Sequence, residues 1–252
     1  MVGGADPGQP SEAGRLAQKS TDAFAAGELE KAQGLAGDAE LASAYTHLQQ
    51  IVGVIAISLP FVLIIGNRLL SGDELESSIS AYYHTPMGSV FVGVLWALAV
   101  FFLSYNYKPL PGFNIDNKLS TLAAIAAVSV AVFPTTSDAS VASRSEHNIG
   151  IVHEISAAVL FILLAVFALF LFPRGSGAMT PEKQRRNVLY RICGGIMSVA
   201  ILLMVVWRDP PESWHVFLAL ETICVVAFGV SWLIKGGFLG ILADKKPTPA
   251  PA

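Results

Sequence analysis

The chain has 252 residues, of which 53% are hydrophobic and 14% charged, with a net charge of -3. That is too much apolar surface for a soluble domain of this length to hide in one core, so a fold whose solvent is lipid is implied. The net charge supplies no global positive field, which excludes nucleic acid as a partner. No CxxC pair or Gly-rich phosphate loop is present, so the usual signatures of soluble enzymes are missing.

The opening residues 1–48 are polar and rich in Ala and Gly, without the basic and short apolar regions of a cleavable signal. Leu16, Phe24, Leu29, Leu35 and Leu41 recur irregularly there. The segment reads as partly helical or disordered. Residues 49–236 then carry six apolar stretches, at Gln49–Asn67, Pro86–Tyr105, Leu119–Thr136, Ile149–Phe172, Val188–Trp207 and Val216–Gly236. Each is near the length needed to cross hydrocarbon. Pro86 can open the second helix, Pro173 ends the fourth, and Pro210 and Pro211 follow the fifth. The fold class expected is an all-α polytopic membrane bundle of six helices, followed by a tail over 237–252.

Lys108 and Lys118 lie between spans two and three, Arg174, Lys183, Arg185 and Arg186 between four and five, and Lys235, Lys245 and Lys246 near the C-terminal end. The alternate connections hold one Arg each, at Arg68, Arg144 and Arg208. By the positive-inside rule both termini are cytoplasmic. The two cysteines, Cys193 and Cys224, then lie toward opposite faces of the bilayer and do not form a disulfide.

Ionisable residues gather on the predicted outer side. His84 precedes span two, His147 and His153 open span four, and His215 precedes span six. Tyr82, Tyr83, Asp138, Glu146, Glu154, Arg208, Asp209, Glu212 and Glu221 join them. Glu146, Gly150 and His153 share one helical face, and His147, Gly150 and Glu154 the next. For His84, His147 and His215 a wet interfacial position is an equally good account. His153, Glu154 and Glu221 lie deeper, where an ionisable group needs a partner, a cavity or water. His153 and Glu221 are expected to approach each other across an outward-facing cavity between spans four and six, with Tyr83 or His84 at its mouth.

Trp207, Trp214 and Trp232 read as interfacial anchors. The run Tyr82-Tyr83-His84 suits either an aromatic belt or a ligand lip. Gly88, Gly93, Ala97, Ala123, Ala124, Ala126, Ala127, Gly194 and Gly195 read as close helix-packing positions.

The segment Ser78-Ile79-Ser80-Ala81-Tyr82-Tyr83-His84-Thr85-Pro86, leading into Val90-Phe91-Val92-Gly93, resembles bacterial six-span membrane proteins of unknown function. More distantly it is similar to the DRAM/Frag group of eukaryotic six-span proteins. That group has an Ile-Ser element before span two, a His near the start of span four and a Glu near the start of span six. Here these fall on Ile79-Ser80, His153 and Glu221. The resemblance covers roughly 49–236 and implies a compact bundle associated with lipid handling or membrane trafficking, with no catalytic residue to transfer. The Tyr-Tyr-His run stands where the distant group has an acidic and glycine element.

The leading expectation is a non-enzymatic or accessory protein of a bacterial cell membrane. It binds a lipid or small amphipathic ligand in an outward-facing polar pocket formed by Tyr82, Tyr83, His84, His147, His153, Glu154, Arg208, His215 and Glu221, with no metal. One rival is a metal-dependent lipid hydrolase with His84, His147, His153 or His215 as ligands and Glu154 or Glu221 as base. His147 and His153 are six apart and lack the His-Xaa-Xaa-Xaa-His spacing of ceramidase-like membrane hydrolases. The other rival is a transporter or proton-coupled carrier using His153 and Glu221 as a relay.

Overall fold

A computed structural model of the protein describes residues 12–72, 74–105, 115–136, 143–174, 179–207 and 214–238. All regular structure among them is helical: α1 (Glu12–Leu70), a 3-10 turn (Ser80–His84), α2 (Gly88–Ser104), α3 (Ile115–Val132), α4 (Arg144–Val166), α5 (Pro181–Val206) and α6 (Val216–Lys235). A π-helical stretch, Phe167–Leu171, and a further 3-10 turn, Phe172–Arg174, extend α4. Two units divide the chain between His47 and Leu48. In the first, α1 is regular from Glu12, as its content of alanine favours. Phe24, Leu29, Leu35 and Leu41 are exposed there.

In the second unit the helix ends follow local chemistry. Ser143 and Glu146 form a reciprocal capping box at the start of α4, with Ser143 N donating to Glu146 Oε2 at 2.7 Å and Glu146 N to Ser143 Oγ at 3.3 Å. Glu146 is thereby occupied as a cap rather than as part of a ligand face. Thr180 caps α5 through Lys183 N at 3.1 Å, and Pro181 takes the first helical position, where no amide is needed.

Among the described residues, five helical segments are long and apolar enough to cross a membrane: Ala26–Leu70, Ile115–Val132, Arg144–Arg174, Pro181–Val206 and Val216–Lys235. The sixth expected span corresponds to α2, which has 17 residues. At 1.5 Å per residue it reaches about 26 Å, slightly under a typical hydrocarbon thickness of about 30 Å.

Successive helices from α2 to α6 pack as neighbours. Helix α1 meets α6 where Gly53 and Gly229 face each other. A Cβ on Gly53 would lie 2.8 Å from the Gly229 carbonyl oxygen, and one on Gly229 would lie 2.7 Å from that of Gly53. Without side chains at both positions the two backbones come into contact. One turn away, Gln50 Nε2 donates to Gly236 O at 2.7 Å. Helix α3 buries its alanine face, Ala123, Ala124, Ala126 and Ala127. Gly194 packs against Leu169 of the π-helical stretch, whereas Gly93 and Gly195 have open space where a Cβ would go and Ala97 is exposed. These last three are not packing positions.

The core is aromatic. Trp232, wholly buried, meets Phe101, Phe172 and Tyr105 edge-on at ring separations of 4.7, 4.9 and 5.1 Å. Expected as an interfacial anchor, it is instead the centre of the packing, because its face of α6 points at α2 and the end of α4. Trp207 and Trp214 are exposed and stack edge to face at 5.9 Å, an arrangement suited to a belt.

Candidate functional site

The connection between α1 and α2 is laid along the first two turns of α6. His215 Nδ1 bonds the Glu76 carbonyl at 3.2 Å, Leu218 N donates to Ser77 O at 3.0 Å, and Ile79 N donates to Glu221 Oε2 at 2.6 Å. Residues 215, 218 and 221 recur every three positions and so lie along one face of the helix. Ser80 N also points at the Glu221 carboxylate. Glu221 thus satisfies backbone donors at the start of the 3-10 turn, where no earlier residue of that turn supplies an acceptor. Tyr82, in this turn, is buried; burial raises its phenol above the ordinary range, and its backbone contact at Glu76 opposes that only in part.

A second seam is made by two histidines at the C-terminal end of α3. His153 Nδ1 bonds the Phe133 carbonyl at 2.6 Å, and His84 Nε2 bonds the Thr135 carbonyl at 2.8 Å. Carbonyl oxygens accept, so those ring nitrogens carry the protons. The histidines supply donors to carbonyls that the end of α3 leaves without helical partners. Gly150 lets Thr136 settle onto α4, since a Cβ there would collide with the Thr136 hydroxyl and backbone. The Tyr83 ring lies between His84 and Phe91, at 5.4 and 6.4 Å. His153 is 2% exposed and its Nε2 has no hydrogen-bond partner among the described residues.

The structure therefore gathers Tyr82, Tyr83, His84, His153, His215 and Glu221 around the connection over 74–87 and the end of α3. His147 and Glu154 stand exposed on α4, and Arg208, with Asp138, Asp209 and Glu212, lies outside the described residues. His153 and Glu221 do not pair: no ion pair joins them among the described residues, and each is bonded to backbone of a different segment. Helical depth points to His153 and Glu221, which are buried, as groups that need partners, whereas Glu154, expected at the same depth, is exposed. Depth gives no information on the intervening backbone that provides those partners.

Where α1 ends and α6 begins, a cavity of about 360 Å³ is lined by Ile64, Arg68, Glu74, Leu75 and His215. Its volume is within the range of small-molecule sites. Apolar Ile64 and Leu75 adjoin Arg68, His215 and Glu74, so the cleft offers a hydrocarbon surface next to groups of both charge signs. His215 has φ 44 and ψ 40, a left-handed conformation uncommon outside glycine, held by its contact with Glu76. Of the cleft residues only His215 was expected. In the sequence Arg68 is legible as a topology marker, at the end of an apolar run and a short connection before Glu74.

Among the described residues no group of three or more His, Cys, Asp or Glu side chains is arranged to hold a metal ion. No protein-family model matches the chain, and comparison with curated proteins and with solved structures likewise finds no match.

Proposed function

We propose that the protein is a six-span protein of a bacterial cell membrane, with both termini cytoplasmic, that binds a lipid or other small amphipathic molecule in the outward-facing cleft between α1 and α6. The observation carrying this reading is the composition of the cleft: Ile64 and Leu75 suit an acyl chain, while Arg68 and His215 suit an anionic or polar head. Helix α2 counts as the sixth span because its 17 residues include no charged side chain and lie against α3. The non-enzymatic reading is preferred to the hydrolase because His84, His153 and His215 bond three different carbonyls while His147 is exposed.

Native mass spectrometry of protein extracted in mild detergent tests the binding. A copurifying amphiphile is expected on the unaltered chain, lost in Leu75→Trp, which fills the cleft, and weakened about tenfold in Arg68→Gln by loss of a charged hydrogen bond. His215→Asn removes the imidazole while tolerating the left-handed backbone and should also weaken binding. Equal occupancy in all four proteins would place the ligand elsewhere.

The orientation is tested separately. With Cys193 and Cys224 replaced by alanine, a cysteine at Ser140 is expected to react with a membrane-impermeant maleimide from outside the cell. One at Gly177 should react only after the membrane is opened. The reverse pattern would invert the topology.

A further inference from the structure

Asn117, Lys118, Thr121, Leu122 and Ile125 line a groove of about 420 Å³ on α3. Their spacing places them on one face of the helix, while Ala123, Ala124, Ala127 and Ala131 bury other positions in the bundle. The groove therefore opens away from the core, with Leu122 44% and Ile125 56% exposed. Its polar lining is confined to the first two turns of α3 and its apolar lining follows. From Lys118 to Ile125 the helix rises about 10 Å, so in a bilayer crossed by α3 the groove would run from the polar boundary into the hydrocarbon.

The end of the bundle at which the groove begins has an excess of cations. Arg174 bonds Asp116 at 3.4 Å, and Lys235, above the Phe172 ring at 5.6 Å, is within electrostatic reach of Arg186, Lys183 and Asp116. Arg185 is exposed on the same first turns of α5. Asp116 and Glu182 are the acidic residues described on these turns, and the guanidinium of Arg174 offsets Asp116. A lysine ammonium has three donors, so Lys118 can engage an anion while keeping a contact within the protein.

We propose that this groove binds an anionic glycerophospholipid, with the phosphate at Lys118 and Asn117 and an acyl chain along Leu122 and Ile125. Charge complementarity selects the head, and the apolar continuation of the groove selects a lipid over a soluble anion. The site is separate from the cleft at Arg68 and His215 and does not depend on the function proposed for it.

The full chain in mild detergent is titrated with phosphatidylglycerol, with phosphatidylcholine of the same acyl chains, and with inorganic phosphate, and occupancy is read by native mass spectrometry. Phosphatidylglycerol is expected to bind about fivefold more tightly than phosphatidylcholine, the preference one basic residue at a membrane surface supplies. Lys118→Gln should abolish that preference, Lys118→Arg should keep it, and Ile125→Trp should remove binding of both lipids. Every protein titrated also carries Leu75→Trp, which fills the cleft at Arg68 and His215, so that the occupancy read is that of the groove on α3. Equal binding of the two lipids by the chain with this groove intact overturns the proposal, as does a preference surviving Lys118→Gln and Ile125→Trp. Displacement of phosphatidylglycerol by inorganic phosphate at matching concentration would show an anion site without a lipid component, and also overturns it.

Discussion

Glu221→Leu is expected to destabilise the protein by roughly 2–4 kcal/mol, because it strands two backbone donors in a buried place. The Ile79 amide donates to the carboxylate at 2.6 Å and the Ser80 amide is directed at the same group. Leucine at 221 leaves both amides in place, and the segment cannot turn outward without breaking the Leu218 to Ser77 bond beside it. The partner chemistry decides where the cost falls. Were Glu221 paired with His153, as the sequence suggested, the histidine left behind could release its proton and so relieve part of the cost of losing its partner. Against backbone donors no such relief exists. Glu221→Gln keeps an acceptor oxygen and should cost only about 1 kcal/mol. Thermal unfolding in detergent orders the three proteins, and hydrogen exchange at Ile79 and Ser80 locates the loss. A leucine variant more stable than the glutamine variant would contradict the assignment.

How far the fold could be read from the sequence depended on whether a feature is local. Apolar runs of about twenty residues announce spanning helices because hydrocarbon thickness sets their length, and Pro181 and the Ser143–Glu146 pair mark helix starts by short-range chemistry. Side-chain partners are not local. The Ile79-Ser80 element and Glu221 are 142 residues apart in sequence yet touch directly, and periodicity fixes only the height and face of Glu221. Trp232 departs from the anchor expectation for a related reason: the end of an apolar run suits a belt residue, but its helical face is committed to Phe101, Tyr105 and Phe172. The cleft went unrecognised because it is shaped by α1, α6 and the connection over 74–87 together. None of these elements alone presents a ligand-binding pattern.

Glycines give the sharpest contrast between positions that look alike in sequence. Gly53→Ala and Gly229→Ala are each expected to destabilise the bundle by about 1–3 kcal/mol through overpacking. On Gly53 the new carbon would lie 2.8 Å from the Gly229 oxygen and from Leu233 Cγ, and on Gly229 it would meet Ile57 Cγ1 at 2.7 Å and Ile57 N at 3.0 Å. Leucine can rotate aside, but a carbonyl and an amide belong to helices that must move as bodies, so α1 and α6 have to separate. Once one substitution has forced that separation, the other meets less resistance. The double variant should therefore cost less than the sum of the single ones, the coupling expected for two residues in one contact. Gly93→Ala and Gly195→Ala provide the control, because each Cβ would enter open space within a helix. There alanine reduces the conformational freedom lost on folding and should stabilise by up to about 1 kcal/mol. Unfolding measured for all five variants in one detergent should show opposite signs for the two classes. Equal effects at Gly53 and Gly93 would mean that α1 and α6 do not meet backbone to backbone.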